Sequence, residues 1–336
     1  MRDYFRPILI SSVDKPKDAF CLAQGRLWFT SIELLARDRP PEVVPATYLP
    51  QKWINRLIGH RPIIAGVNLK KPRIMGILNV TPDSFSDGAS FNDPTKALYQ
   101  AEKMVQNGVD IIDVGGESTR PGAKEIPAEV EIQRISPVIR SICAKTKVVV
   151  SVDTRKAAVA KVAVENGAKF VNDVSGLKFD PELAPFCAVK NLPVCVMHSS
   201  GIPETMQNDP FYENVLLDVY DSLEAQISSL IGWGIGRERI IADPGIGFGK
   251  TMEHNLILLK KISLFHSLGV PLLLGVSRKG FIGKITEEHV AKARVIGSVS
   301  AALTGVSQGV QIFRVHDVKE TRQAFDMWQM IMFGRE

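Results

Sequence analysis

From Arg73 onward the chain alternates short apolar runs, rich in β-branched residues, with longer stretches in which apolar positions recur at helical spacing. The short runs are Ile74 to Asn79, Ile111 to Val114, Val148 to Asp153, Phe170 to Asp173, Val194 to His198, Ile240 to Asp243, Leu272 to Val276 and Ile312 to Val315. Each reads as a strand. Between and after them the spacing predicts helices over Pro94 to Asn107, Ala128 to Ala144, Arg155 to Asn166, Pro181 to Lys190, Asn214 to Gly234, Glu253 to Leu268, Val290 to Gly309 and Val318 to Met332. Several of these stop at a glycine suited to a left-handed cap: Gly108, Gly167, Gly269 and Gly309.

Strands that are apolar almost throughout belong to a parallel sheet covered on both faces, and eight strand-then-helix units in about 260 residues match an α/β chain closed into a (β/α)8 barrel. An open doubly wound sheet is the alternative, but it usually carries a glycine-rich phosphate turn after its first strand, absent here. Residues 1–72 keep no such rhythm. They contain Pro40, Pro41, Pro45 and Pro50 and apolar patches at Leu27 to Phe29 and Leu57 to Ala65. They read as an ordered N-terminal extension laid on a barrel of residues 73–336, with no chemistry of its own to assign.

Composition narrows the classes. A chain of 336 residues, 45% hydrophobic and 23% charged, can bury a full core and is not disordered on a large scale. Residues 1–72 hold 12 Lys and Arg against 6 Asp and Glu, and the remainder holds 29 against 30. The near-neutral body argues against a broad nucleic-acid surface, while the basic head suits either an anionic partner or plain solvation. No apolar run approaches the roughly 20 residues that cross a bilayer, and the start fits neither a signal nor a transit peptide, so the cytosol is expected. Cys21, Cys143, Cys187 and Cys195 form no CxxC pair and read as reduced thiols, and the 6 histidines show no zinc-ligand spacing.

In a barrel of this kind, polar groups at the strand ends share one rim, where such folds keep their chemistry. The census of ends is Asn79; Glu117 with Thr119 and Arg120; Asp153; Asn172; His198; Asp243; Ser277 with Lys279; and Arg314 with His316. Asn79, in RIMGILNVTPDSFSDG, offers an amide oxygen suited to Mg²⁺, which keeps waters and leans on substrate phosphates; turn stabilisation is the plainer role. Arg314 and His316, at i and i+2, present both side chains to one face after the eighth strand, a common place for phosphate. Lys279 adds a second cation to the same rim. ADPGIGFGKT is not a P-loop, because Pro244 stands where its first glycine is required; its glycines suit a loop that approaches a flat ligand, with Phe248 covering a ring. Asp153 and Asp243, with Asn172, could be acid and base of a hydrolase, metal ligands, or acceptors for the N–H edge of a guanidine-like heterocycle.

The strings GILNVTPDSFSDG, DVGGESTRPGA, VSVDT, VNDVSG, ADPGIGFGK, GVSRKGFIG and FRVHDV, in this order, resemble the dihydropteroate synthase family from about Arg73 to the C-terminus. The resemblance implies a TIM barrel, usually a homodimer, that joins a dihydropterin methyl diphosphate to 4-aminobenzoate and releases diphosphate by an SN1-like route. It implies Asp153, Asn172, Asp243 and Lys279 on the pterin, with Asp153, Lys279, Arg314 and His316 as the charged groups of catalysis. It implies Asn79, Arg314 and His316 on diphosphate with Mg²⁺, and Thr119, Arg120, Pro121, Phe248 and Ser277 around 4-aminobenzoate, where sulfonamides would compete. The loops Thr81 to Phe91 and Glu117 to Lys124 would order over the substrates. A corrinoid-type pterin methyltransferase shares the barrel and the pterin grip but has no diphosphate for Arg314 and His316 to meet; a non-catalytic pterin binder would lack charge residues, and none is missing. Two departures stand out: His198-Ser199-Ser200-Gly201 where the family commonly reads HMQG, and Gly280, smaller than its usual counterpart, which widens the aminobenzoate mouth.

Overall fold

A computed structural model describes residues 2–61, 63–81, 94–118, 123, 125–200, 206 and 209–334. The extension supplies strands β1 (Tyr4–Ser11), β2 (Phe20–Cys21), β3 (Leu27–Leu35) and β4 (Glu42–Pro45), then helix α1 (Gln51–Ile58). The barrel strands follow as β5 (Arg73–Asn79), β6 (Ile111–Gly115), β7 (Val149–Asp153), β8 (Phe170–Asp173), β9 (Val194–Met197), β10 (Ile240–Asp243), β11 (Leu273–Leu274) and β12 (Ile312–Val315). Around them run α2 (Pro94–Gln106), α3 (Ala128–Lys145), α4 (Ala157–Glu165), α5 (Leu183–Val189), α6 (Val215–Gly232), α7 (Met252–Lys260), α8 (Gly280–Thr286), α9 (Val295–Ser307) and α10 (Val318–Phe333).

The 8 barrel strands hydrogen-bond in the order β10-β9-β8-β7-β6-β5-β12-β11, all parallel, and a bridge from Ala242 to Leu272 joins the two ends. This is the expected (β/α)8 barrel. Four elements differ from the pattern reading. The expected strand Leu272 to Val276 forms only over Leu273–Leu274. The expected helix Glu253 to Leu268 breaks at Lys261, where φ is −121°, and goes on as the 3-10 segment Ile262–Leu268. The expected helix Val290 to Gly309 starts only at Val295, after a 3-10 turn at Ala291–Ala293. The short α8, with glycines at both 280 and 283, falls below the length at which periodicity speaks.

Alternation along parallel strands sorts the barrel lining into layers. Met75, Ile111, Phe170, Cys195, Ile241, Leu273 and Ile312 form a closed apolar cluster inside the barrel, joined from below by Ile64, Val67 and Leu69. Ile64 and Val67 are hydrogen-bonded to each other as a tight turn, so the end of the extension plugs the barrel floor. Two residues further along the same strands stand Asp113, Ser151, Asn172, Asp243 and Arg314; two further again stand Asn79, Asp153, Ser277 and His316. An apolar floor thus gives way, in one step of the pleat, to a charged mouth.

The extension's sheet has β3 at its centre, paired with β1, β2 and β4. Its basic residues meet the barrel's own acids. Arg2 pairs with Asp221 and Glu224, Arg37 with Asp218 and Asp221, and Arg56 with Glu224, all on α6. Tyr4 packs edge-on against Tyr220 and donates to Asp221.

Candidate active site

The polar layers meet in one hydrogen-bonded network. Asp113, fully buried on β6, accepts from Ser151 Oγ at 2.5 Å, from Asn172 Nδ2 at 2.9 Å and from Arg314 Nε at 2.7 Å. Arg314 Nη2 reaches Asp153 Oδ2 at 2.6 Å. Asp153, Asn172 and Arg314 are thus joined in one network through Asp113, a residue the strand-end census left out. Asp113 lies inside an apolar run rather than at its end. A carboxylate between Ile112 and Val114, in phase with the inward-facing Ile111, was the signal available to find it.

The two oxygens of Asp153 are unequal: Oδ2 is held by Arg314, whereas Oδ1 is buried without a hydrogen-bond partner among the described residues. Burial pushes the Asp153 carboxyl up to about 7, opposed by Arg314 and assisted by Asp113. Asp243 is pushed up to about 6 by burial, against the backbone N–H of Gly245, which donates to its Oδ1 at 2.7 Å, and against Lys279. The other oxygen, Oδ2, faces Gly275, where a side chain would begin 3.9 Å away. Lys279 is pulled down to about 8 by burial, with Asp243 opposing, and its Nζ lies 4.0 Å from the centre of the Phe248 ring, a cation held on an aromatic face. Ser277 Oγ lies 3.0 Å from His316 Nδ1 and accepts the His316 N–H at 3.1 Å, which joins the ends of β11 and β12.

In the loop after β10, Lys250 Nζ sits 2.9 Å from His198 Nδ1. Burial, and then the charge of Lys250, drop His198 to about 2, so its ring is neutral. Lys250 is itself pulled down to about 7 by burial, with Asp243 opposing. Ser200, one of the departures from the family pattern, donates to Gly249 O at 3.1 Å and so ties the loop after β9 to the loop after β10. No described side chain comes within 4 Å of a Cβ built on Gly280.

Glu117 accepts from Ile126 N at 3.0 Å and from Arg155 Nη2 at 3.1 Å, fastening the two ends of its loop. Thr119, Arg120 and Pro121 lie outside the described residues, as does most of the expected loop Thr81 to Phe91. Among the described residues no group of three or more His, Cys, Asp or Glu could hold a metal. Asn79 Oδ1 and Asp153 Oδ2 are each 3.6 Å from where a Gly115 side chain would begin, so glycine leaves a gap beside two oxygens. That fits a hard cation taking the rest of its shell from water and phosphate.

A family model described as pterin binding enzyme matches residues 75–316. The chain is 43% identical over 263 residues to the dihydropteroate synthase of Haemophilus influenzae, which covers 78% of this chain and 95% of that one. The Xanthomonas albilineans dihydropteroate synthase solved with 4-aminobenzoic acid is 40% identical with a TM-score of 0.75, covering 80% of this chain and 96% of that one. A complex of the same enzyme with 7,8-dihydropteroate gives 38% and a TM-score of 0.72, over 79% and 95%.

Proposed function

The chain belongs to the dihydropteroate synthase family of pterin-binding enzymes, and from that footing we propose how its barrel mouth carries out the transfer. The reaction makes 7,8-dihydropteroate: the amine of 4-aminobenzoate replaces the diphosphate on a dihydropterin methyl group. One observation carries the assignment of roles, the open Oδ1 of Asp153. A buried carboxylate oxygen without a donor is costly, and the guanidine-like edge of a pterin supplies adjacent N–H groups. Asp153 and Asp243 hold that edge, Asn172 and Lys279 hold the rest of the ring, and Asp113 keeps Arg314 and Asn172 in place.

The carbon–oxygen bond to diphosphate breaks first. The positive charge then spreads over the pterin, where the buried carboxylates of Asp113, Asp153 and Asp243 stabilise it without any protein nucleophile. Arg314 and His316 receive the departing anion. Mg²⁺, held by Asn79, would neutralise charge on that anion. The aromatic amine, placed by Phe248 and Ser277 with Thr119, Arg120 and Pro121, attacks the methylene carbon, and its proton leaves to solvent.

The test is purified protein with the pterin diphosphate, Mg²⁺ and 4-aminobenzoate: dihydropteroate should form with one diphosphate released, and no product would refute the assignment. Asp153→Asn should weaken pterin binding about tenfold or more, whereas His316→Gln should lose mainly the gain in affinity that added diphosphate brings. Calorimetry showing the same loss for both variants would overturn the division of roles. The stretch from α8 into α9 exposes Ile285 at 51%, Val290 at 62% and Ile296 at 85%, which suits burial against a second copy. Light scattering should give the mass of a homodimer, and Ile296→Asp should lower it.

A further inference from the structure

The glycine-rich loop from Asp243 to Thr251 reverses what such strings do around nucleotides. Gly245, Gly247 and Gly249 have φ of 68°, 82° and 61°, and the tight path they allow encloses the loop's own lysine instead of a phosphate. Lys250 is 4% exposed. Its Nζ lies 2.9 Å from each of Gly245 O, Phe248 O and His198 Nδ1. Carbonyl oxygens only accept, and an ammonium has three donors; the three contacts at 2.9 Å take its three protons, His198 O at 3.4 Å being a longer fourth neighbour, so His198 Nδ1 is an acceptor. The ring proton of His198 then resides on Nε2.

The same loop carries two groups of the site. Gly245 donates to Asp243, and the Phe248 ring supports Lys279. There is no slack around it: a side chain on Gly245 would begin 1.9 Å from His198 O, and one on Gly249 would begin 1.9 Å from Ser200 Oγ.

We propose that Lys250 is a positioning residue of the transfer site, fixing the loop after β10 from within, and with it the Phe248 face beneath Lys279, while locking His198 as its Nε2–H tautomer. The kinetic consequence rests on the function proposed above; the tautomer does not.

Lys250→Met keeps most of the volume and removes every donor. It should raise KM for 4-aminobenzoate about tenfold or more, because Phe248 loses its backbone anchor, and lower pterin affinity by calorimetry less than that, because Asp153 and its partners lie outside the loop whereas Asp243 and Lys279 lean on it. Nitrogen-15 NMR of the wild-type protein, below the pH of about 7 to which Lys250 is drawn, should show His198 Nδ1 as an unprotonated ring nitrogen and Nε2 as a protonated one. In Lys250→Met that preference should be lost. A proton on Nδ1 in the wild type, or an active wild type whose Lys250→Met variant keeps its KM within twofold, overturns the proposal. Wild-type protein with the expected tautomer but no dihydropteroate would refute the function and leave the lock standing. If Lys250→Met does not fold, the wild-type spectrum alone decides.

Discussion

Asp113 stands two positions beyond Ile111, and that offset of two is what turns the barrel lining from apolar to charged. Most of the mouth was legible by the same rule. Asp153 and Asp243 end apolar runs, Asn172 and Arg314 stand one position before the end of theirs, and all four project inward. What alternation could not tell is which groups touch, since that depends on how strand stagger brings β12 beside β5 and places Arg314 over Asp113. Arg314, expected only as an anion clamp, is also the counter-ion of two carboxylates. Lys250 was illegible for another reason: a lysine behind glycines normally reaches solvent, and only the closed path of the loop turns it inward. The shifted acids and base predict a narrow pH optimum. Asp153 and Asp243, pushed up to about 7 and about 6, lose their negative charge as pH falls through those values. Lys279, drawn down to about 8, loses its positive charge as pH rises past that point. A profile of kcat/KM for the pterin substrate should therefore be bell-shaped with limbs near those values, and Lys279→Gln should flatten the alkaline limb. The sign for stability is opposite on the acid side. With folded values above the ordinary carboxylate value of about 4, both acids favour folding below that pH and withdraw their support as pH rises through the folded values.

At the level of elements, the extension's basic character is explained by what α6 carries. Three of its arginines, Arg2, Arg37 and Arg56, pair with Asp218, Asp221 and Glu224. These pairs are unequal in worth. Arg37 is 38% exposed in its ion pairs, and such pairs typically contribute under about 1 kcal/mol. Arg61 is different. It is buried at 5%, with Nη1 donating to Gly59 O at 3.1 Å and Nη2 to Arg56 O at 3.0 Å and His266 O at 3.1 Å. These bonds tie the end of α1, the approach to the floor plug and the 3-10 segment Ile262–Leu268 into one unit. Burial, with Arg237 nearby, draws its guanidinium down to about 10, and its Nε has no hydrogen-bond partner among the described residues. Arg61→Met should cost about 3 kcal/mol, because three carbonyls lose a charged donor in a place water does not reach, whereas Arg37→Ala should cost under about 1 kcal/mol. Denaturant midpoints of the two variants should separate accordingly, and equal shifts would mean that the interface is held by packing rather than by Arg61.

For the whole molecule, the active end and the covered end are opposite. Substrate groups gather where the strands finish, while the extension packs where they begin, against Gly269, Gly309 and the turn into β11. The matched family region starts at residue 75, so the extension lies outside it, yet it packs against the barrel through α6. Of the 18 residues of α6, 9 are buried, and Asp218, Asp221 and Glu224 of the same helix are met by arginines of the extension. Tyr220, fully buried, stands between Tyr4 of the extension and Phe265 of the barrel. A chain beginning at residue 60, which keeps the floor plug but lacks β1 to β4 and α1, would expose that face to water. It should melt about 10 °C or more lower, bind a hydrophobic dye and aggregate on warming. Its kcat and both KM values, measured on the soluble fraction at low temperature, should nevertheless stay near those of the full chain, because Asp113, Asp153, Asn172, Asp243, Lys279 and Arg314 are held by partners within the barrel. A truncated protein that is fully stable would make the extension an ornament on a self-sufficient barrel. One that is stable but slow would mean instead that the covered end communicates with the charged one.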